Sequence, residues 1–291
     1  MRLLNYRGRA AIAAGPGVVV DVEAASGGTF GPDLQSIYEC WPDFRAWAAS
    51  GLSGYGTISY TDEELGPPVP TPRQVFAIGL NYQEHADEGN LAAPSVPMVF
   101  TKFPASLAGP FDEIELPSDA VDFETELVVV VGPKAYRVSE ADAWSHVAGL
   151  TCGQDLSDRG VQLSGGAPPQ FSLGKSFTGF APIGPCLVTP DEFDDANDVA
   201  IGCTLNDQRM QSDRTKNMIF PVEQLIVYLS SILPLLPGDL IFTGTPAGIG
   251  WTRTPRVTLR AGDQLTTEIE GIGCMRNHFV PRPVSEESSR A

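Results

Sequence analysis

From Val75 onward the chain runs through short apolar stretches without regularly alternating helices, and this limits its fold more than any other feature. The stretches are Val75–Gly79, Met98–Thr101, Glu126–Val131, His146–Cys152, Val199–Leu205, Leu240–Thr243, Val257–Leu259 and Gln264–Ile269. Glycine and proline punctuate them, as they punctuate strands. Two stretches, Ser139–Trp144 and Pro221–Leu233, look helical. A doubly wound sheet needs a helix between successive strands. The pattern therefore predicts an α+β, β-rich domain, a mixed barrel or roll with few helices.

The first 65 or so residues carry strand-like runs, Val18–Val20 among them, and a helix near Asp33–Ala49. Gly66-Pro67-Pro68-Val69-Pro70-Thr71-Pro72 then breaks any regular element, because proline fixes φ and removes a donor. The expected division is a small N-terminal domain with its linker at 1–70, a main domain at 71–280, and a polar, flexible tail at 281–291. The opening MRLLNYRGRAAIAAGPGVVV has the arginines and small apolar residues of a signal peptide, but Gly15, Pro16 and Gly17 interrupt it. The most apolar stretch, Leu225–Phe242, contains Ser230, Ser231, Pro234, Pro237 and Asp239, so it is not expected to span a bilayer. The five cysteines, Cys40, Cys152, Cys186, Cys203 and Cys274, are scattered and form no CxxC. That suits a reducing cytoplasm rather than a disulfide scaffold or a zinc–thiolate site. A formal net charge of -17 repels nucleic acid and anionic lipid and argues against both as partners. An anionic substrate would then need something locally positive to receive it, and a bound metal would serve.

Asp122-Phe-Glu124-Thr-Glu126-Leu-Val-Val-Val130 is the segment richest in chemistry. Side chains alternate along a strand, so Glu124 and Glu126 share a face. A bare E-x-E is more often the solvated face of an edge strand. The valine run that follows argues for burial, where two adjacent carboxylates repel unless a cation neutralises them. Asp155, after the apolar Val147–Cys152, is either a third oxygen ligand or a turn residue. Three carboxylates without histidine would suit Mg²⁺ or Mn²⁺ rather than Zn²⁺.

In Asn81–Glu88, His85 and Glu88 stand three apart and share a helical face. Such a pair is commonly a surface feature, but a carboxylate beside an imidazole also makes a general base. His146 and His278 lack such a partner and read as structural. Leu173-Gly174-Lys175-Ser176-Phe177 places a lysine in an apolar setting. It is not a phosphate loop, because Pro169 stands where GxxxxGK[ST] requires glycine. Gly244–Gly250, rich in glycine, is either a turn or a backbone-lined anion pocket with Thr245 as donor.

In this order the segments resemble the fumarylacetoacetate hydrolase family, from about Val75 to Phe279. The family's NYxxHxxE is Asn81–Glu88, and its ExE strand carries Glu124 and Glu126. D-x-S-x-R-x-x-Q is Asp155, Ser157, Arg159 and Gln162, and GKSF is Gly174–Phe177 with Pro182–Pro185 after it. PGD…TGTPxGxG is Pro237–Gly250, and EIEGIG is Glu268–Gly273. The resemblance implies a mixed β-sandwich roll and a homodimer. It implies that Glu124, Glu126 and Asp155 bind Mg²⁺ or Mn²⁺ and that His85 and Glu88 are the acid/base pair. Arg159, Gln162, Lys175 and Thr245 would contact substrate, and Lys175 would also stabilise charge in catalysis. Three positions depart from the pattern: Asp158 for the usual alanine, and Gly160 and Thr178 for the usual aspartate. Asp158 is expected to compete with an anionic substrate or to pair with Arg159. Residues 1–65 resemble nothing informative.

The resemblance implies an enzyme on a small anionic 2-oxo acid, with a place in aromatic catabolism. The first expectation is hydrolytic cleavage of a C–C bond in an acylpyruvate, with release of pyruvate. The alternatives are oxaloacetate decarboxylation, keto–enol isomerisation of a related diacid, or an inert small-molecule-binding protein on the same fold.

Overall fold

The computed structural model describes residues 1–52, 54–166 and 169–283. Of the expected tail, residues 284–291 lie outside the described residues. The architecture is α+β and β-rich, as the apolar runs require. The larger sheet runs from edge to edge as Ile58–Ser59, Val18–Asp21, Arg9–Gly15, Arg2–Tyr6, Ala181–Val188, Val147–Gln154, Thr125–Val131, Leu240–Phe242, Val75–Gly79 and Met98–Thr101. A second sheet orders Gln208–Arg214, Ala200–Leu205, Gln264–Ile269, Gly273–Pro281 and Glu113–Leu116. A short antiparallel pair, Val121–Asp122 with Ser157–Asp158, makes a third.

Thr125–Val131 lies at the heart of the larger sheet, and its sequence explains why. Leu127, Val129 and Val131 point into one core cluster, Val128 and Val130 into another. A strand buried on both faces reads as a continuous β-branched run, not as an alternation of apolar and polar residues. Its neighbour Val147–Gln154 runs antiparallel, with Glu126 opposite Gly153 and Thr125 opposite Gln154. One step beyond the ladder the Asp155 N–H donates to the Glu124 carbonyl at 2.9 Å. Strand register thus brings the three carboxylates together.

The strands at Val75–Gly79, Met98–Thr101 and Gln264–Ile269 have the bounds the sequence predicts. Val257–Leu259 is not a strand. Its backbone instead donates from Val257 to Gly250 and from Leu259 to Val121. Three long strands carry no clean sequence signal. Ala181–Val188 is interrupted by Pro182, Gly184 and Pro185, and Gln208–Arg214 is polar. Gly273–Pro281 has polar residues at Arg276, Asn277 and His278. The helix expected near Asp33–Ala49 is two helices, Leu34–Glu39 and Trp41–Ala49, with Pro42 in the first turn of the second. Val222–Ile232 is α-helical as expected, whereas Glu140–His146 is a 3₁₀ segment.

Residues 1–70, expected as a separate small domain, share the sheet and the core with the rest of the chain. Arg2 pairs with Val188 and Leu3 with Leu187. Leu3, Ile12, Leu34 and Phe44 pack in one cluster with Val128, Val130, Leu187 and Phe242. The proline-rich segment is therefore a boundary in sequence that hydrogen bonds and packing cross. All five cysteines are free. Among the described residues no helix is long and apolar enough to cross a membrane.

Candidate metal and acid–base site

Glu124, Glu126 and Asp155 are buried, and one ligand oxygen from each lies within 4.8 Å of the others. The edge-strand reading of the E-x-E is excluded, because Glu124 is 6% exposed and Glu126 1%. Burial, then the charges of Asp155 and Glu124, push the Glu126 carboxyl well above its usual range. Among the described side chains no cation pairs with it; its Oε2 accepts the Gly244 N–H at 2.7 Å. Glu124 is the opposite case. Burial works to raise it, but Lys175 and Arg159 outweigh that and hold it below the ordinary carboxylate range. Three hard oxygens, with one negative charge left unbalanced in the interior, fit a divalent cation of the Mg²⁺ or Mn²⁺ kind.

Lys175 Nζ donates to Glu124 Oε2 and Asp155 Oδ2, each at 2.7 Å. Burial opposes its charge, yet Asp155 and Glu124 leave the ammonium more basic than usual. Gly174 brings it there by close approach, since a Cβ at that position would lie 2.6 Å from the Gln162 backbone nitrogen. Arg159 opens the short helix Arg159–Leu163 and donates to Asp122, to Glu124 at 2.6 Å and to Gln162 Oε1 at 2.8 Å. Asp158 does not pair with Arg159, contrary to expectation. Its Oδ1 caps this helix by accepting the Val161 N–H at 2.9 Å, and its Oδ2 accepts from Ser118 at 2.7 Å. N-capping is a common use of aspartate, and it takes up the extra carboxylate.

Two participants carry no motif signal. Lys102, fully buried, donates to Asp155 Oδ1 at 2.6 Å and to the Lys175 carbonyl. Asp122, also fully buried, accepts from Arg159 Nε at 3.0 Å and Nη2 at 2.6 Å. It also accepts from the backbone N–H groups of Gly250 at 2.8 Å and Trp251 at 3.2 Å. Only its place two residues before Glu124 could have drawn attention to it. For Lys102, a lone lysine after an apolar strand offered nothing.

His85 and Glu88 close a hydrogen bond of 2.7 Å between Nδ1 and Oε1 on the helix Gln83–Glu88. Asn81 mounts this helix, with Nδ2 donating to the carbonyls of Phe220 and Thr243 and Oδ1 accepting the Phe220 N–H. The other Glu88 oxygen accepts the Gly248 N–H at 2.9 Å. Burial tends to raise this carboxyl, but the bonds from His85 and Gly248 prevail and keep it below its ordinary value. The glycine-rich segment 244–250 thus meets anions through its N–H groups, and these anions are the protein's own: Glu126, Glu88 and Asp122. Thr245 Oγ1 accepts from Gln211 at 2.8 Å. His85, Glu88, Glu124, Glu126, Arg159, Gln162, Lys175 and Thr245 all line one cavity of about 500 Å³. His146 and His278 do not line it.

The family model for the fumarylacetoacetate (FAA) hydrolase C-terminal region matches residues 74–280. A mitochondrial oxaloacetate tautomerase of Bos taurus is 43% identical over 215 residues, 73% of this chain and 68% of that one. A crystal structure of a Mycobacterium smegmatis protein provisionally named HpcE superposes with a TM-score of 0.90 at 47% identity, covering 97% of this chain and 100% of that one. Maleylpyruvate hydrolase from Sphingobium sp. SYK-6, in complex with manganese(II) and pyruvate, superposes with a TM-score of 0.79 at 26% identity, covering 97% and 99%.

Proposed function

We propose that this chain, which belongs to the fumarylacetoacetate hydrolase family, is a divalent-metal-dependent enzyme that interconverts the keto and enol forms of a small 2-oxo acid. One observation carries the reading: the His85–Glu88 pair, two of the three clustered carboxylates and Lys175 line the same cavity. Glu124, Glu126 and Asp155 would hold Mg²⁺ or Mn²⁺, which when bound polarises the 2-oxo oxygen of the substrate. With Glu124 and Asp155 so engaged, Lys175 has donors for the substrate carboxylate, while Arg159, still held by Asp122, stands with Gln162 and Thr245 on the same wall. Glu88 occupies Nδ1 of His85 and fixes the ring, which leaves Nε2 as the atom that faces substrate. In the keto-to-enol direction the C3 proton passes to Nε2, and a proton from the same ring returns to the 2-oxo oxygen. The sum is an isomerisation that needs no co-reactant.

This reading promotes what the sequence offered as an alternative over C–C hydrolysis. The support is the name oxaloacetate tautomerase, carried by relatives 41–43% identical to this chain. Acylpyruvate hydrolysis stands second, supported by the maleylpyruvate hydrolase that binds manganese and pyruvate. An inert binding protein would have no use for the assembled His85–Glu88 pair. A homodimer of this chain is part of the proposal, to be checked by sedimentation. The function is tested by following the enol absorbance of oxaloacetate and a panel of other 2-oxo acids with Mg²⁺, Mn²⁺ or EDTA. Acceleration over the spontaneous rate with metal, lost in EDTA, is expected. No metal-dependent acceleration on any member of the panel would refute the assignment.

A further inference from the structure

The EIEGIG segment, Glu268–Gly273, takes no part in the acid–base cavity, yet its turn is held from several sides. Arg2 donates to the Gly271 carbonyl at 2.5 Å and to the Ile272 carbonyl at 3.0 Å. The Cys186 thiol donates to the Ile272 carbonyl at 3.7 Å, and the Cys152 thiol to that of Gly273 at 3.6 Å. Beside this turn lies a second cavity, of about 440 Å³, a size that takes small-molecule ligands. Most of its wall is apolar: Leu4, Ala13, Pro16, Leu65, Pro185 and Ile272. Three polar side chains join them, Arg2, Tyr60 and Cys186, and the Arg2 charge acts on both the thiol and the phenol. A few polar groups placed together in an apolar hollow are the usual make-up of a ligand site.

The chemistry of the polar group selects an anion. Arg2 meets carbonyl oxygens, and no carboxylate among the described residues pairs with it. The groove that Gly271 and Gly273 also line is the contrast: there Arg209 pairs with Glu268, and Arg214 with Asp198 and Glu270. Burial pushes the Cys186 thiol up to about 11. Burial, then Cys186 and Asp62, raise the Tyr60 phenol, and Asp62 is itself paired with Arg276. Thiol and phenol are therefore neutral donors at pH 7, suited to the oxygens of an anion and not to covalent attack. A guanidinium matches a carboxylate with two parallel N–H donors.

We propose that this second cavity binds a small monocarboxylate with an apolar body, the carboxylate received by Arg2 and Tyr60 and the body by the wall from Leu4 to Ile272. Such a ligand touches the first strands and the 271–273 turn at once, so it binds the folded chain and raises its thermal midpoint. Phenylacetate is the probe and 2-phenylacetamide its uncharged counterpart, with binding read by calorimetry and by the shift in midpoint. Mg²⁺ and excess oxalate are present throughout, to occupy the acid–base cavity. Phenylacetate is expected to bind at least about tenfold more tightly than the amide, the order of one charge-assisted hydrogen bond. Arg2→Met should remove that preference. Because Arg2 also secures the turn, Ala13→Phe is the second variant: it fills the cavity, leaves Arg2 in place and should abolish binding. Phe171→Ala, on the wall of the acid–base cavity, should leave binding unchanged. No detectable binding, equal affinity for acid and amide, full binding by Ala13→Phe, or loss of binding in Phe171→Ala would each overturn the proposal.

Discussion

A carboxylate in this interior is defined by what faces it, and three side chains can be tested one at a time. His85 is proposed to carry the proton, and loss of a positioned acid–base group costs about 10²–10⁴-fold in rate. His85→Ala should lower turnover by that order while the calorimetric affinity for oxalate in Mg²⁺ changes little. Undiminished turnover would remove His85 from the chemistry. Lys102 is a different test, because its ammonium is wholly buried between Asp155 and the Lys175 carbonyl. Stripping a buried charge of its sole partner costs about 3–5 kcal/mol, but Asp155 keeps Lys175 at 2.7 Å when Lys102 is removed, so the cost here is expected below that range. Lys102→Met should lower the free energy of urea unfolding, measured without metal, by about 1–3 kcal/mol, the order of a buried acceptor left unsatisfied. Asp122 acts through its neighbours: it holds two Arg159 nitrogens and two backbone N–H groups of the 244–252 segment. Asp122→Asn turns an amide N–H toward donors and leaves buried groups unsatisfied, at about 1–3 kcal/mol. The change should appear as a raised KM with a smaller change in kcat, because Arg159 is misaimed while His85 is untouched. An unaltered KM would reduce Asp122 to a structural role.

Between residue and whole molecule, the site is held by short elements that pass unusually close to one another. The segment bearing Lys175 lies against the helix bearing Arg159 and Gln162, and Gly174 makes the approach possible. A Cβ there would come within 2.6 Å of the Gln162 nitrogen and 2.8 Å of its Cα, and backbone cannot turn aside. Gly244 is constrained twice, by a φ of +101° and by the Asn81 Cβ at 2.6 Å from its own virtual Cβ. Backbone strain of that kind costs on the order of 1–3 kcal/mol. Gly244→Ala should therefore lower the unfolding midpoint and weaken oxalate binding together, since the same turn donates its N–H to Glu126. Gly165, where a Cβ would meet nothing within 4 Å, is the control. Gly165→Ala should leave both measurements unchanged, and equal effects at the two positions would contradict the packing account.

For the molecule as a whole, the larger sheet is continuous from Ile58–Ser59 to Met98–Thr101 and takes in the strands of residues 1–66. Removing residues 1–66 would strip Arg2–Tyr6 from Ala181–Val188 and uncover Leu187, Ile183 and Phe242 in the core beneath. The shortened chain is expected to lose the cooperative thermal transition and the near-ultraviolet dichroism of the full protein. A native spectrum from residues 67–291 would establish the division near residue 70 as a true domain boundary. The sequence by itself determined the β-rich class and three strand bounds, because each was written in a local pattern. The valine run argued for burial of Glu124 and Glu126 without excluding an edge strand, and the trio with Asp155 came from the joint order of motifs. Arg159, Lys175 and the His85–Glu88 pair were found through the joint order of motifs. Only the tertiary structure decided that Asp158 caps a helix, that Asp122 and Lys102 belong to the site, and that the first strands extend the main sheet. The physical reason is the range of the interactions. Lys102 meets Asp155 across 53 residues, Asp122 meets Arg159 across 37, and Arg2 pairs with Val188 across more than half of the chain. A hydrogen bond between residues that far apart leaves no periodicity in either segment, so it exists on the page only once the fold has brought them together.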